Sequence, residues 1–573
     1  SSSSPARRGC CRRPVPKSET LPMDTSPPIP DPGGPRRDFT TSASEVGPPS
    51  FEWLLGRLGA RGQRRQRLLL ALSCLPCVLV GLALGSDALF ALTPLHHCGD
   101  PNSTKMPDNA SCHGPHGQSG EAGVLPILTS NPVTEWSLDH SGSWVIPLEQ
   151  ICFLLGFAAG AVFLGHLADS VGRRSTFLLT LALGCPAGIL AAFASSPSVF
   201  ILGRCLWGTM LGAMQLAVYI TRLELCCPSQ RLPVAMAGDL VQVGGRFFLL
   251  GLAWICGSWR VLQGVISAGM GVCLLYGCPG LYPESPRWLL ATRRTAQAKG
   301  VLLALCQNGN TQEPETQEAL DELDSTCHLP AAAQISLRSL LSCRNIWKNI
   351  LILGFTTFIA HAICHCYQQA WESMEDPCAK FYFPFLLSAG SAGLGCLFLC
   401  LTVHQYGRRG ILLLTTTLTG IASLILLGLG EYLNNAARRT FSILGLFTSH
   451  AAGSLSIFFA AEVIPTVIRG KGLGITLALA SLGGLSAPLL RVREQHGSFL
   501  EHIVLASLNI LALLCLLLLP ETKRKPLPES LHDGELYRRP SLLRRAGDTA
   551  DRDSHGVTRR DDVPLLSTPN PTS

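Results

Sequence analysis

The chain has 573 residues, of which 47% are hydrophobic and only 15% are charged, and its formal net charge is +7. This charge content is too low for an ordinary soluble domain of such length. The apolar residues form twelve blocks of about 20, the length that crosses a bilayer core, which predicts an all-α membrane protein. Because the arginines and lysines cluster beside these blocks, we interpret them as membrane flanks. We expect a lipid bilayer as partner and no nucleic acid.

The segments before the first block and after the last block are polar. Residues 1–56 are rich in serine, proline and arginine, and residues 520–573 are similar, so both are predicted to be disordered. Basic residues flank the membrane at both places, and the positive-inside rule therefore places both termini in the cytoplasm.

The first two blocks are separated by a loop, 91–143, that is predicted to lie outside the cell. It contains two glycosylation sequons, at Asn102 and Asn109. Cys98 and Cys112 lie in the same oxidising environment. They either form a disulfide with each other or pair separately with the outer cysteines Cys366 or Cys378.

A charged signature between the second and third blocks, Gly165 to Arg174, returns in the second part of the chain near Gly407. Four pairs of anchor residues share almost one spacing, which indicates two six-helix pseudo-repeats. The pairs are Gly172 and Gly407 (235 residues apart), Glu224 and Glu462 (238), Arg231 and Arg469 (238), and Glu284 and Glu521 (237). The predicted halves are 57–281 and 346–519, joined by a cytoplasmic linker, 282–345, with short amphipathic helices around Thr295–Leu305 and Thr316–Leu323.

Four segments together resemble the signatures of the major facilitator superfamily, in the organic ion transporter branch called solute carrier family 22. They are Gly165 to Arg174, Arg204 to Gly212, Pro283 to Leu290, and Pro520 to Lys523. The long loop after the first block is also similar to that branch. The resemblance implies the major facilitator fold with twelve transmembrane helices.

The resemblance also implies a conformational latch between the halves. Asp169 would accept hydrogen bonds from the amides that begin a helix of the other half and from a nearby arginine. The predicted latch residues are Gly165, Asp169, Gly172, Arg173, Arg174, Glu224, Arg231, Gly407, Arg408, Arg409, Glu462 and Arg469. The alternative is a set of surface salt bridges worth under about 1 kcal/mol each. In the second repeat His404 replaces the aspartate, so we expect alternating access to be biased or impaired.

Four residues are candidates for a central cavity. Arg204 precedes two glycines at four-residue spacing and needs an acceptor within the membrane. Asp239 and Arg246 are seven residues apart, on one helical face. Ser481 stands where the cation carriers of the family look to have a carboxylate and the anion carriers an arginine. We therefore expect a neutral or zwitterionic substrate, or none.

Three segments most resemble one receptor-like member of the family: Arg344 to Asn349, where the linker ends, Leu519 to Lys525, and Asp533 to Leu543. That resemblance implies a plasma-membrane receptor for a lipocalin carrying an iron–siderophore complex, taken up by endocytosis through endosomal or vacuolar membranes. The alternative is a secondary transporter of small organic cations, zwitterions or neutral solutes. Asp561, Leu565 and Leu566 match an acidic dileucine signal for clathrin adaptors, and Ser541 matches a basophilic phosphorylation site.

His361 and His365 lie one helical turn apart beside Cys364 and Cys366, a pattern that could ligate a metal. No second ligand set has matching spacing, so we interpret them as packing histidines and expect no metal or other cofactor. The chain has no phosphate-binding loop and no zinc-protease string. We therefore expect no enzyme.

Overall fold

The computed structural model describes residues 60–91, 128–138, 142, 144–278, 280–306, 343–369, 377–429, 432–492, 499–523, 525 and 527–536. They belong to one compact unit, Pro48–Ser573. Several predicted sites lie outside the described residues: Cys98, Asn102, Asn109, Cys112, Ser541, Asp561, Leu565 and Leu566.

The regular structure of the described residues is helical. In chain order the helices are α1 (Ala60–Cys74), α2 (Pro76–Phe90), α3 (Pro132–Trp136), α4 (Val145–Ser170), α5 (Arg173–Ala192), α6 (Pro197–Glu224), α7 (Arg231–Cys256), α8 (Trp259–Cys273), α9 (Pro286–Ala291), α10 (Thr295–Cys306), α11 (Arg344–Gln369), α12 (Pro377–Tyr406), α13 (Arg408–Leu429), α14 (Asn435–Val463), α15 (Arg469–Gly484), α16 (Ser486–Val492), α17 (Phe499–Leu516) and α18 (Leu531–Leu536). Short 3-10 turns at Leu274–Gly277 and Thr466–Ile468 extend α8 and precede α15.

Within the described residues, eleven helical segments are long and apolar enough to cross a membrane. A shorter apolar helix, Ile503–Leu516 within α17, occupies the place of the twelfth predicted span. The first span combines α1 and α2, which divide at Leu75 because Pro76 has no amide hydrogen to donate. The spans therefore follow the apolar blocks of the sequence.

The two halves meet along two helix pairs, α4 with α15 and α7 with α12. Glycines allow the first pair to come close. A Cβ on Gly165 would lie 2.6 Å from the carbonyl oxygen of Gly470, and a Cβ on Gly474 would lie 2.3 Å from that of Ala161. Since those contacts are with backbone atoms, a larger residue would force the halves apart.

The predicted disorder from residue 520 is wrong for residues 527–536, which we call the tail segment. The Glu535 carboxylate accepts from the amide of Asn345 at 3.0 Å, and the Pro528 carbonyl accepts from the amide of Thr466 at 3.0 Å. Leu527 is buried and anchors the segment on the second half. One apolar anchor in a polar stretch is too weak a pattern to be noticed in the sequence.

Candidate functional site

The turn between α4 and α5 depends on a glycine and a distant glutamate. Gly172 has φ +124°, and a Cβ there would lie 2.5 Å from an oxygen of Glu284. That carboxylate accepts from the amides of Arg173 at 2.9 Å and Arg174 at 3.2 Å, which begin α5. Burial raises the pKa of Glu284, and the amide hydrogen bonds oppose this shift. The glutamate thus caps a helix that has no other anionic residue in its first turn.

The second half repeats this arrangement. Gly407 has φ +85°, and a Cβ there would lie 2.8 Å from an oxygen of Glu521. Glu521 accepts from the amides of Arg408 and Arg409, both at 3.1 Å. The anchors that share a spacing in the sequence therefore occupy equivalent places in the two halves.

Asp169 joins the two halves. Its carboxylate accepts from the amides of Gly470 at 2.9 Å and Lys471 at 2.8 Å, at the start of α15, and pairs with Arg173 at 3.2 Å. The indole of Trp288 donates to the Asp169 carbonyl at 2.9 Å. This is the contact that the latch predicts, and we call this end of the bundle the latch end.

Glu224 forms a second contact across the halves. Its carboxylate accepts from Arg469 at 2.7 Å and from the hydroxyl of Ser285, and it lies 3.4 Å from Arg173. The Arg173 guanidinium also donates to the carbonyl of Thr466 in the second half, at 2.9 Å. Glu224 and both arginines are fully buried, so this is an interior ion-pair network and not a set of surface salt bridges.

The network is not symmetric. In the second half Glu462 receives two hydrogen bonds from Arg408, both at 3.0 Å, and one from the hydroxyl of Thr522 at 2.8 Å, all within its own half. His404, at the place equivalent to the latch aspartate, is exposed. Arg231 is buried near the arginines of the latch. The latch therefore has one capping carboxylate instead of two.

Arg204 lies inside the first half. Its guanidinium donates to Glu149 at 2.6 Å and to Gln263 at 3.2 Å, contacts Asp87, and stacks 4.4 Å from the ring centre of Phe153. It is fully buried. Its place is the interior of one bundle, where it holds helices together.

The other cavity candidates occupy different environments. Asp239 interacts electrostatically with Arg222, not with Arg246 on its own helix. Arg246 is half-buried, whereas Ser481 is buried and its hydroxyl donates to the Leu477 carbonyl at 3.1 Å. Both charges on α7 act on the other half, because Arg246 interacts electrostatically with Cys364, and Asp239 with Cys396 and Cys400.

Three further charged residues lie within the spans and were not among the predicted site residues: Asp87, Glu149 and Arg222. Each is an ionisable side chain in an apolar block, which is by itself a sign of a partner in the membrane. This feature of the sequence could have identified all three residues, although it does not indicate which residues form ion pairs with each other.

The histidine cluster on α11 does not assemble a metal site in the structure. Among the described residues, no group of three or more potential ligands could hold a metal ion. The ring of His361 bonds through Nδ1 to the Thr357 carbonyl at 2.8 Å. Cys364 lies 3.2 Å from Nε2 of His450, and His365 contacts Gln368 at 3.1 Å.

The duplicated bundle and the network across its halves define a membrane transporter of the major facilitator type. The fold matches the proton:xylose symporter XylE bound to 6-bromo-6-deoxy-D-glucose, with a TM-score of 0.61 and 16% identity over 83% of this chain and 100% of that one. The family model for "Sugar (and other) transporter" matches residues 144–530.

Two relatives specify the family further. The chain is 47% identical to solute carrier family 22 member 17 of Homo sapiens, over 92% of this chain and 88% of the relative. It is 53% identical to member 17 of Mus musculus, over 70% of this chain and 98% of the relative. The chain belongs to solute carrier family 22. The family and fold are those of multi-pass membrane transporters, which are not enzymes.

Proposed function

We propose that the protein is a secondary transporter that moves small organic solutes through the space between its halves by alternating access. The contact of Asp169 with the start of α15 supports this, because a carboxylate that caps a helix of the other half stabilises one closed state. With both termini in the cytoplasm of a plasma-membrane protein, the latch would close the cytoplasmic side.

Opening the latch breaks a small number of strong contacts. The two amide hydrogen bonds to Asp169 and the Arg469–Glu224 pair all cross the halves. Hydrogen bonds to charged groups contribute about 1.5–3 kcal/mol each. A bound solute would have to favour the open state by a comparable amount to change which side is accessible.

The test is solute flux into proteoliposomes that contain the purified protein alone. A carrier gives saturable uptake, and Asp169→Asn changes its rate while the protein still elutes as a single species in gel filtration. Uptake that stays equal to that of protein-free liposomes across anionic, neutral and cationic solutes would refute the proposal.

A second candidate is the endocytic receptor for a siderophore-carrying lipocalin, which would contribute to cellular iron uptake. It is supported by the resemblance of the linker and tail to a receptor-like member, and by the identity of 47% to member 17. The lipocalin would bind the loop 91–143, and clathrin adaptors would bind the tail at Asp561, Leu565 and Leu566.

This candidate has a matched test. Replacing Leu565 and Leu566 by alanine should stall uptake of labelled lipocalin while surface binding persists. Replacing Leu542 and Leu543, a leucine pair without the upstream aspartate, should leave uptake unchanged. Lipocalin binding that survives replacement of the loop 91–143 would contradict the proposed ligand surface.

A further inference from the structure

The first span contains a Cys-Leu-Pro-Cys sequence at the junction of α1 and α2. Cys74 is the last residue of α1 and Cys77 is the second residue of α2, and both thiols are free and buried. At this junction the amides of Leu75 and Val78 donate to carbonyls three residues back, at 3.1 and 3.0 Å, and Pro76 has no amide hydrogen to donate. Side chains three residues apart eclipse each other in such turns, so the two sulfurs lie on one side of the span.

Arg222 of α6 contacts both sulfurs with one nitrogen. Its Nη1 donates to Sγ of Cys77 at 3.3 Å and to Sγ of Cys74 at 3.6 Å. Among the described residues, these sulfurs are the acceptors of the guanidinium, on which Asp239 of α7 acts through its charge. A Cβ on Gly238 would overlap Nη1, so the missing side chain at Gly238 provides the space in which the guanidinium reaches the thiols.

The contact with Arg222 favours the reactive form of cysteine. The thiolate is the nucleophile, and an adjacent guanidinium stabilises its charge. Arg222 is fully buried, so salt screens its charge less than that of an exposed residue, and a buried arginine in turn needs an anion nearby. The negative charge that develops on sulfur as a thiol loses its proton therefore meets a cation that is already in place.

A third thiol at this place is engaged by the backbone. Sγ of Cys226 donates to the carbonyl of Arg222 at 3.0 Å, whereas the guanidinium donates to the two thiols of the first span. Arg222 lies two residues before Glu224 of the latch, which places the pair toward the latch end. The proposed topology puts that end on the cytoplasmic side, where thiols are kept reduced and the disulfides that form are transient.

We propose that Cys74 and Cys77 form a redox-active dithiol that a small hydroperoxide oxidises reversibly to a disulfide. The sulfur of Cys77, the closer of the two to Nη1 of Arg222, attacks one peroxide oxygen and forms a sulfenic acid. The O–O bond breaks, and the thiol proton leaves with the other oxygen as water or an alcohol. The sulfur of Cys74 then attacks the sulfenic acid, so that the S–S bond forms, the S–O bond breaks and water leaves with the Cys74 proton. The dithiol loses two electrons and two protons, and the hydroperoxide takes up both.

Disulfide formation requires a small movement of the span. Cβ atoms three residues apart on a helix are about 5–6 Å from each other, and those of a disulfide are about 3.5–4.5 Å apart. The interruption of the helical hydrogen bonds at Pro76 allows the span to close by this difference. A cytosolic thiol restores the dithiol by exchange through a mixed disulfide. The site does not depend on the proposed transport.

Mass spectrometry of the purified full-length protein in nanodiscs tests the site. The protein is exposed to hydrogen peroxide, the remaining thiols are blocked with N-ethylmaleimide, and peptides are mapped with and without dithiothreitol. The peptide with Cys74 and Cys77 should lose two hydrogens and regain two thiols after dithiothreitol. The matched control is the pair Cys396 and Cys400, one helical turn apart on α12, which faces the charge of Asp239 instead of a guanidinium. That pair should oxidise at least about tenfold more slowly.

Variants assign the role of each residue. Cys74→Ser should leave a sulfenic acid on Cys77 that dimedone traps, whereas Cys77→Ser should give no dimedone adduct on Cys74. Arg222→Lys keeps the charge and should keep most of the oxidation rate, whereas Arg222→Met should lower the rate at least about tenfold. The serine variants each change one buried atom, so they test the site even where Arg222→Met does not fold.

Several results would overturn this assignment. They are oxidation of the Cys74–Cys77 and Cys396–Cys400 pairs at the same rate, a disulfide between Cys74 and Cys226, and an unchanged oxidation rate in folded Arg222→Met. The expected disulfide upholds the site whether or not the protein moves a solute, because its chemistry does not use the space between the halves.

Discussion

Asp169→Asn tests whether the latch holds the halves together. Aspartate accepts from Gly470 and Lys471 with two different oxygens, and one of those oxygens also pairs with Arg173. Asparagine has nearly the same shape but one accepting oxygen and no charge. One α15 amide therefore faces an NH₂ group, and the Arg173 guanidinium loses an anionic partner.

The expected loss follows from these contacts. A hydrogen bond to a charged group contributes about 1.5–3 kcal/mol to stability. An anion near the start of a helix contributes about 0.3–1 kcal/mol more through its interaction with the helix dipole. Asparagine keeps part of this stabilisation through its one accepting oxygen. We therefore expect the free energy that favours the closed state to fall by about 2–3 kcal/mol. That corresponds to a shift of roughly 30- to 150-fold in the ratio of closed to open molecules.

The measurement is the distance between spin labels at Ser170 and Tyr406, which are exposed at the latch end on opposite halves. The labels should be genetically encoded, because the chain has 23 cysteines. Asp169→Asn should add a population at longer distance. His404→Asn, at the equivalent exposed position of the second half, is the matched control and should leave the distribution unchanged. Identical distributions for Asp169→Asn and the unmodified protein would refute the latch.

Three further outcomes are expected. Gly407→Ala should lower the free energy of unfolding by about 1–2 kcal/mol because φ is +85°. Gly410→Ala should be neutral or slightly stabilising, because Gly410 lies within a helix and a Cβ there would have no neighbour within 4 Å. The hydrogen bond from Arg260 lowers the pKa of Glu135 below its usual 4.5. The contribution of this pair is therefore present at neutral pH and lost as the pH falls below the usual pKa of 4.5. The protection of the outer segment that holds α3, measured by hydrogen exchange relative to the intrinsic exchange rate at each pH, should decrease over that range, and Glu135→Gln should remove this decrease. Glu535→Gln should speed hydrogen exchange of the tail segment, and unchanged exchange would contradict its anchoring role.

Much of the fold could be predicted because its strongest signals are local. Blocks of about 20 apolar residues specify spanning helices without any knowledge of their partners. The spacing of Glu224 to Glu462 and of Gly172 to Gly407 then indicates the duplication. The tail segment was missed because its order comes from tertiary contacts, such as that between Glu535 and Asn345, which leave no periodic pattern.

The part of the candidate site that belongs to a repeated sequence motif could be predicted from the sequence. The contact of Asp169 with an amide of the other half followed from the physics of a helix start and is present. The pairing of charges within the spans did not follow. Asp239 lies one heptad from Arg246, yet it meets Arg222 of α6 instead. Helical spacing fixes which residues share a face and not which neighbouring helix supplies the opposite charge.

The asymmetry of the latch involves the amide donors at the helix start as well as the carboxylate that accepts from them. The spacing of 238 residues that relates Arg231 to Arg469 makes Leu232 and Pro233 the equivalents of Gly470 and Lys471. Pro233 has no amide hydrogen, so one of the two donors that a second capping carboxylate would need is missing as well as the carboxylate itself. Because proline is well accommodated in the first turn of a helix, this loss costs α7 nothing in stability. Among the described residues, a carboxylate of one half therefore caps a helix of the other half at α15 and not at α7, so separation of the α7–α12 pair breaks no described helix cap of this kind.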